Sequence, residues 1–89
     1  MAYLSKSLSV LAYANGFTLW HYATIDLAID VDTAGYFNDA AGLLRVGDMI
    51  MANVDTDGTP QSGIFVVNAN DGTTVDTANM TQLDSADTD

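Results

Sequence analysis

The pattern of apolar and polar positions predicts its clearest strand at residues 17–24. This segment is dense in aromatic and β-branched side chains. Neither of its two alternating faces is plainly polar, since one carries Phe17 and Leu19 and the other carries Trp20 and Tyr22. A strand with apolar bulk on both faces is usually covered on both. In so short a chain, one of the two covers could be another chain.

The next segment, residues 25–32, alternates between aliphatic positions on one side and mostly aspartate positions on the other. Period two with the charge outward predicts an exposed edge strand or an extended loop that packs on the core. Further on, Asn38 can cap a short helical turn over residues 39–44, and Asp39 in its first turn suits the helix dipole. Gly42 indicates that this helix is brief.

Further strands are predicted in the second half, at residues 49–54, 64–68 and 73–77. The last two are joined by the hairpin signal Asn70-Asp-Gly72 and are therefore expected to pair antiparallel. The chain is thus predicted to be mostly β. We expect a small single-domain barrel or sandwich of four to five short strands, with one short helical turn.

The composition along the chain divides it into an N-terminal arm at residues 1–15, a β domain at residues 16–78 and a flexible acidic C-terminal tail at residues 79–89. The arm is rich in Ser, Ala and Leu and shows no clear period. Residues 8–14 also resemble the apolar part of a signal peptide, but the run is short and contains a serine, so we prefer the arm.

The charge of the chain excludes several partners. Its 89 residues hold 12 acids, all of them aspartate, and 2 bases, which gives a net charge of −10. Too few cations are present to neutralise the phosphates of a nucleic acid or to bind an anionic membrane. The hydrophobic content of 48% also argues against an intrinsically disordered chain. Because so short a chain buries only about 60–65% of its unfolded surface, we expect extra stability from a partner or from copies of itself.

Candidate chemistry is sparse. The chain has no cysteine and a single histidine, which excludes disulfides, thiolate metal sites and the common zinc sites. His21 lies between two aromatic residues of a strand, where a packed or interfacial histidine is ordinary. The aspartates at 30–35 and 55–58 offer fewer oxygens than a calcium site needs and suit turns and solubility, although calcium in an acidic loop stays open. We predict no enzyme, no cofactor and no metal centre.

The aromatic residues around the predicted strand leave two alternatives. Trp20 and Tyr22, with Tyr36 and Phe37, could stack on a sugar, or they could fill the core or a subunit contact. Because Trp and Tyr are enriched at protein interfaces, packing or interface is favoured over sugar binding.

Three segments carry a resemblance to a known class of protein. They read Tyr13-Ala-Asn-Gly-Phe-Thr-Leu-Trp-His-Tyr-Ala-Thr24, Gly35-Tyr-Phe-Asn38 and Leu44-Arg-Val-Gly-Asp-Met-Ile50. Together they resemble small proteins encoded among the structural genes of tailed bacteriophages and prophages. The resemblance spans nearly the whole chain, but these segments are packing motifs and include no active site.

The resemblance implies a virion component, a capsid decoration or cement protein that binds the outer surface of the head shell and stabilises it. The implied partners are the major capsid protein and further copies of the chain, with a trimer as the expected order, and the implied location is the capsid exterior. An alternative is a glycan-binding module of a phage fibre or head spike. The residues expected to make the contacts are those of the arm and the aromatic strand: Tyr3, Leu4, Leu8, Leu11, Tyr13, Trp20, Tyr22 and Tyr36.

Overall fold

A computed structural model describes Tyr3 and residues 5–14 and 16–83 of the chain. Its strands are β1 (Leu8–Ala14), β2 (Phe17–Ala23), β3 (Met49–Val54), β4 (Gln61–Asn70), β5 (Val75–Thr77) and β6 (Thr81–Gln82). One helical turn, α1 (Ala28–Val31), and two 3₁₀ turns, Ser5–Ser7 and Asn38–Ala40, complete the described elements.

The strands form one sheet in the order β1-β2-β3-β4-β5, with β6 beside β4. β2 and β3 are parallel, and the other pairs are antiparallel. The mostly β prediction is confirmed. The sheet does not close on itself, so it is an open sheet and no barrel forms.

One face of the sheet carries the core, because alternate residues of β2, β3 and β4 point to the same side. Parallel strands need a long connection, and residues 24–48 provide it by crossing that face. The crossover adds the buried side chains of Val31, Phe37 and Leu44 to the strand residues. The fully or nearly fully buried apolar residues of the strands are Trp20, Tyr22, Ile50, Ala52, Val54, Phe65, Val67 and Val75.

The long strand β4 has two different neighbours on its outer side. Its first half pairs with β6 at Gly63 and its second half pairs with β5 at Val67. A Cβ atom at Gly63 would lie 2.5 Å from both the Met80 Cγ and the Thr81 carbonyl oxygen. Glycine therefore allows the chain that enters β6 to lie close against β4.

The prediction for residues 25–32 is wrong, both as an edge strand and as an extended loop with its charge outward. The segment contains α1, and Ile29 is 71% exposed whereas Asp26 is 3% exposed. Asp26 is buried because its carboxylate accepts the Tyr36 hydroxyl at 2.7 Å. Its backbone N–H also donates to the Thr24 hydroxyl at 3.0 Å. These hydrogen bonds stabilise Asp26 in a buried position, although the alternating sequence pattern predicts that it is exposed.

The predicted cap of the next helical turn is also wrong. Phe37 precedes the turn Asn38–Ala40, and its side chain makes no capping hydrogen bond. Asn38 lies inside the turn, and its Oδ1 accepts the backbone N–H of Val75 at 2.9 Å. The amide of Asn38 therefore joins the crossover to β5.

The segments expected as arm and tail contribute strands. Leu8–Ala14 pairs with β2 as β1, so the sheet begins well before residue 16. At the other end, Thr81–Gln82 pairs with β4 as β6. The expectation of a flexible tail at residues 84–89 lies outside the described residues.

Candidate interaction surface

β1 has one paired side and one open side. It pairs with β2, and no described strand lies along its other side. Every residue of 9–14 is exposed. The large apolar side chains among them are Val10, Leu11 and Tyr13, exposed by 55%, 54% and 72%. An apolar edge with unpaired backbone groups is a template for a further strand. We call residues 8–14 with this open side the β1 edge.

A bulge divides the two faces of β1. Val10 lies opposite Trp20 and Tyr13 lies opposite Thr18, so Val10 and Tyr13 share the face on which the core lies. The register shifts between Val10 and Ala12, which makes Leu11 the extra residue. This insertion breaks the two-residue alternation, which explains why the sequence of the segment shows no clear period.

The far edge of the sheet, at β5, is covered. The backbone N–H of Gly35 donates to the Val75 carbonyl at 2.9 Å. The Val75 N–H donates to the Asn38 Oδ1 at the same distance. Both backbone groups of Val75 that point away from β4 are thus occupied by the crossover. The described part of the sheet therefore has one long open edge, which is β1.

The charge is distributed unevenly along the chain. Residues 1–25 contain Lys6 and no acid, which gives +1, whereas residues 26–89 contain Arg45 and all 12 aspartates, which gives 1 − 12 = −11. The two values sum to the net charge of −10. The β1 edge and its neighbour β2 thus contain no acidic residue themselves, although the Asp48 carboxylate lies against Thr18 and Trp20 of β2.

The structure separates the residues expected to make contacts. Leu11 and Tyr13 lie exposed on the β1 edge. Tyr3 and Leu8 are partly buried and pack against the core. Leu4 lies outside the described residues. Val10 belongs with Tyr13 but was missed, because only a search for alternation that skips one residue would have found it.

Trp20 and Tyr22 are buried inside the chain, so the prediction that they contact a partner is corrected. Tyr22 is 0% exposed and Trp20 is 7% exposed. The Trp20 indole N–H donates to the Asp48 Oδ2 at 3.1 Å. The two faces of β2 are not equivalent, and the bulky aromatic face is the one that the chain's own crossover covers.

Asp48 is the structural centre of the turn before β3. Its carboxylate accepts the Trp20 indole N–H and the backbone N–H groups of Thr18 and Arg45, each at 3.1 Å, and the residue is 1% exposed. The Arg45 side chain forms no ion pair with any described residue. The segment 44–50 thus positions the Asp48 carboxylate beneath β2.

A cluster of four aromatic rings lies between the sheet and the crossover. The Tyr36 hydroxyl donates to Asp26 and is 2.9 Å from the Tyr22 hydroxyl. Burial, followed by these two hydrogen bonds, raises the pKa of Tyr36 far above its usual value, so the hydroxyl keeps its proton and remains a donor. Tyr3 stacks on Tyr22 at 5.6 Å between ring centroids, and Phe37 meets the other rings edge to face. The rings therefore contact one another, and Tyr22 is fully buried with Tyr3 stacked on it.

His21 belongs to a polar row on the opposite face of the sheet. The Ser62 hydroxyl donates to the Asn53 Oδ1 at 2.8 Å, and the Asn53 amide lies 2.9 Å from the His21 Nε2. Asn53 thus lies between the Ser62 hydroxyl and the imidazole. The row links three neighbouring strands and fits the structural role expected for His21.

The acidic loops use their carboxylates locally. Asp55 accepts the backbone N–H of Thr59 at 3.1 Å, and Asp71 accepts those of Thr73 and Thr74 at 2.9 and 2.8 Å. Among the described residues, no three His or Asp side chains are placed to hold a metal ion. No described helix is long and apolar enough to cross a bilayer.

Comparisons with known proteins give no indication of the function of this chain. No protein-family model, no curated protein and no solved structure matches the chain.

Proposed function

We propose that the chain is a structural protein that works by assembly and joins neighbouring protein chains through the β1 edge. The observation that carries this proposal is the contrast between the two edges of the sheet. The β5 edge is covered by Gly35 and Asn38, whereas the β1 edge exposes Val10, Leu11 and Tyr13. Folded proteins usually protect such edges unless a partner uses them.

The setting that we propose is the exterior of a tailed-phage capsid, where the chain binds the head shell and stabilises it. This part rests on the resemblance of residues 13–24, 35–38 and 44–50 to phage structural proteins. The acidic body supports it, because net charge of this size keeps an exposed protein soluble and away from packaged nucleic acid.

Binding to shells tests both parts. The probe is empty head shells assembled from the capsid protein encoded next to the chain's own gene. We expect the purified chain to sediment with the shells and to raise their melting temperature. Val10→Lys on the β1 edge should lose most of this binding. Val46→Lys is the matched control, since Val46 is 61% exposed in the turn before β3.

Two results would contradict the proposal in different ways. A gene neighbourhood without a capsid or portal gene, or shells that bind none of the wild-type chain, would remove the capsid setting. Equal binding by the two lysine variants would remove the role of the β1 edge. A near-ultraviolet spectrum of each variant that matches the wild type shows that the fold is intact.

The glycan-binding alternative has less support in the structure. Of the four aromatic residues that could stack on a sugar, Trp20, Tyr22 and Phe37 are buried. The hydroxyl of the fourth, Tyr36, is engaged by Asp26. A glycan array that shows binding by the wild type and none by Tyr36→Phe would favour this alternative.

A further inference from the structure

We propose that the partner at the β1 edge is a second copy of the chain, and that the two β1 strands pair antiparallel about a two-fold axis. The sheets of the two copies then become one continuous sheet. This inference rests on the proposed function, because it names the chain that occupies the same edge.

Among the described residues, the edges of the sheet allow no other closed assembly by strand addition. A ring in which each copy adds to the next needs two free edges in every copy. The β5 edge is occupied at Val75 by Gly35 and Asn38. The strand β6 has 2 residues and is too short to hold a partner strand. With one usable edge, β1 can meet only another β1, and the product is a pair.

The charge distribution favours a copy over a basic partner. A basic partner would be attracted to the aspartates, all of which follow residue 25. Two copies, each with a charge of −10, repel one another and approach most easily through a surface without acids. The segment 8–14 has no charged residue, and exposed charges more than about 10 Å away are screened at moderate ionic strength.

The residues of β1 are self-complementary in this arrangement. Because Leu11 is the bulge residue, Ala12 is the middle of the five alternating positions 9, 10, 12, 13 and 14. Antiparallel pairing about Ala12 places Val10 opposite Tyr13 of the other copy, and it does so twice by symmetry. Val10 and Tyr13 share one face of the strand. An aromatic residue opposite a β-branched residue is a favourable cross-strand pair. Each would cover the exposed surface of the other.

The usual protections against edge pairing are mostly missing from β1. Natural edges carry charges, prolines, bulges or a covering loop. β1 has the bulge at Leu11, but it contains no charged residue and no proline. No described residue forms a hydrogen bond with the backbone of β1 on the side that faces away from β2.

Sedimentation velocity over a range of concentrations, without shells, tests the inference. We expect the wild type to form a dimer that dissociates on dilution, and we expect Val10→Lys to raise its dissociation constant about tenfold or more, because two cross-strand pairs are lost. Val46→Lys should leave the dissociation constant unchanged. Added salt should strengthen the dimer, since it screens repulsion between the acidic bodies.

Disulfide cross-linking tests the geometry, and the chain suits it because it contains no cysteine. Ala12→Cys lies at the axis and should form a disulfide dimer under mild oxidation, since residues directly opposite have Cβ atoms about 4.5–5.5 Å apart. Ser9→Cys alone and Ala14→Cys alone should not, because like residues would be about 14 Å apart along the strands. A mixture of these two variants should cross-link. Val46→Cys is the surface control and should remain monomeric.

The outcomes separate this inference from the proposed function. A trimer, a monomer at all concentrations, or cross-linking by Ser9→Cys alone would overturn the two-fold pair. If the wild type is monomeric but Val10→Lys still loses shell binding, the β1 edge binds the shell directly and only this inference fails. If Val10→Lys changes neither self-association nor shell binding, both fail.

Discussion

Replacement of Asp48 by alanine should be the most damaging single change among the polar residues described. Asp48→Ala removes the acceptor of three N–H groups, two of which belong to the buried residues Thr18 and Trp20. The third donor is the backbone N–H of Arg45, which is an exposed residue, so water can accept this hydrogen bond in the variant. Hydrogen bonds to a charged group contribute about 1.5–3 kcal/mol each, so the loss of the two buried ones should cost about 3–6 kcal/mol.

This cost is large for a small domain, whose whole free energy of unfolding is about 5–15 kcal/mol. At about 4–8 °C per kcal/mol, the melting temperature should fall by at least about 12 °C. The assay is urea unfolding followed by far-ultraviolet circular dichroism. Fluorescence is unsuitable as the only probe, because Trp20 contacts the replaced carboxylate.

Two further variants sharpen the result. Asp48→Asn keeps the shape and one acceptor oxygen but directs an amide N–H at a donor, so its loss should approach that of Asp48→Ala. Asp57→Ala is the matched control, because Asp57 is exposed in the loop between β3 and β4. It should change stability by less than about 0.5 kcal/mol. A loss below about 1 kcal/mol for Asp48→Ala would refute the assignment of the carboxylate as the centre of this turn.

Three other predictions follow from the packing and the charges. Gly63→Ala should displace β6 and speed amide exchange there, because its Cβ would meet the β6 backbone at 2.5 Å, whereas Gly42→Ala, with nothing within 4 Å, should not. Tyr36→Phe should destabilise the domain by about 1–3 kcal/mol in urea unfolding, since it leaves a buried carboxylate without its hydroxyl donor, and the exposed Tyr13→Phe should be neutral. Burial and two neighbouring carboxylates raise the pKa of Asp32, so its ionised form opposes folding; stability is gained as pH falls through the raised value. The melting temperature of Asp32→Asn should therefore exceed that of the wild type at pH 7, and the difference should close near the usual pKa of 3.8; a constant difference would contradict this cause.

Short stretches of sequence were enough to predict the strands and turns whose structure depends on residues close together in the chain. Met49–Val54 was placed with the correct bounds, because its alternation is regular and one face is buried. The β4–β5 hairpin was found from Asp71-Gly72, since Gly72 has the positive φ of 93° that this turn requires. The strand limits were less accurate, because β4 continues to Asn70 and β5 begins only at Val75.

The features that sequence patterns missed depend on contacts distant in the chain. The parallel pairing of β2 and β3 comes from a crossover that no short window contains. The burial of Asp26 depends on Tyr36, ten residues away. The β1 edge was half found, since Leu11 and Tyr13 were expected to make contacts, while a single bulge hid the strand and Val10 with it.

The covered β5 edge limits how large any sheet of these chains can grow. Amyloid-like fibres require every molecule to accept a neighbour on both flanks, and here the hydrogen bonds of Gly35 and Asn38 to Val75 block one flank. We expect the hydrogen bond from Val75 to Asn38 to oppose such growth at this edge. We therefore expect growth of the sheet to stop once the β1 edge has paired.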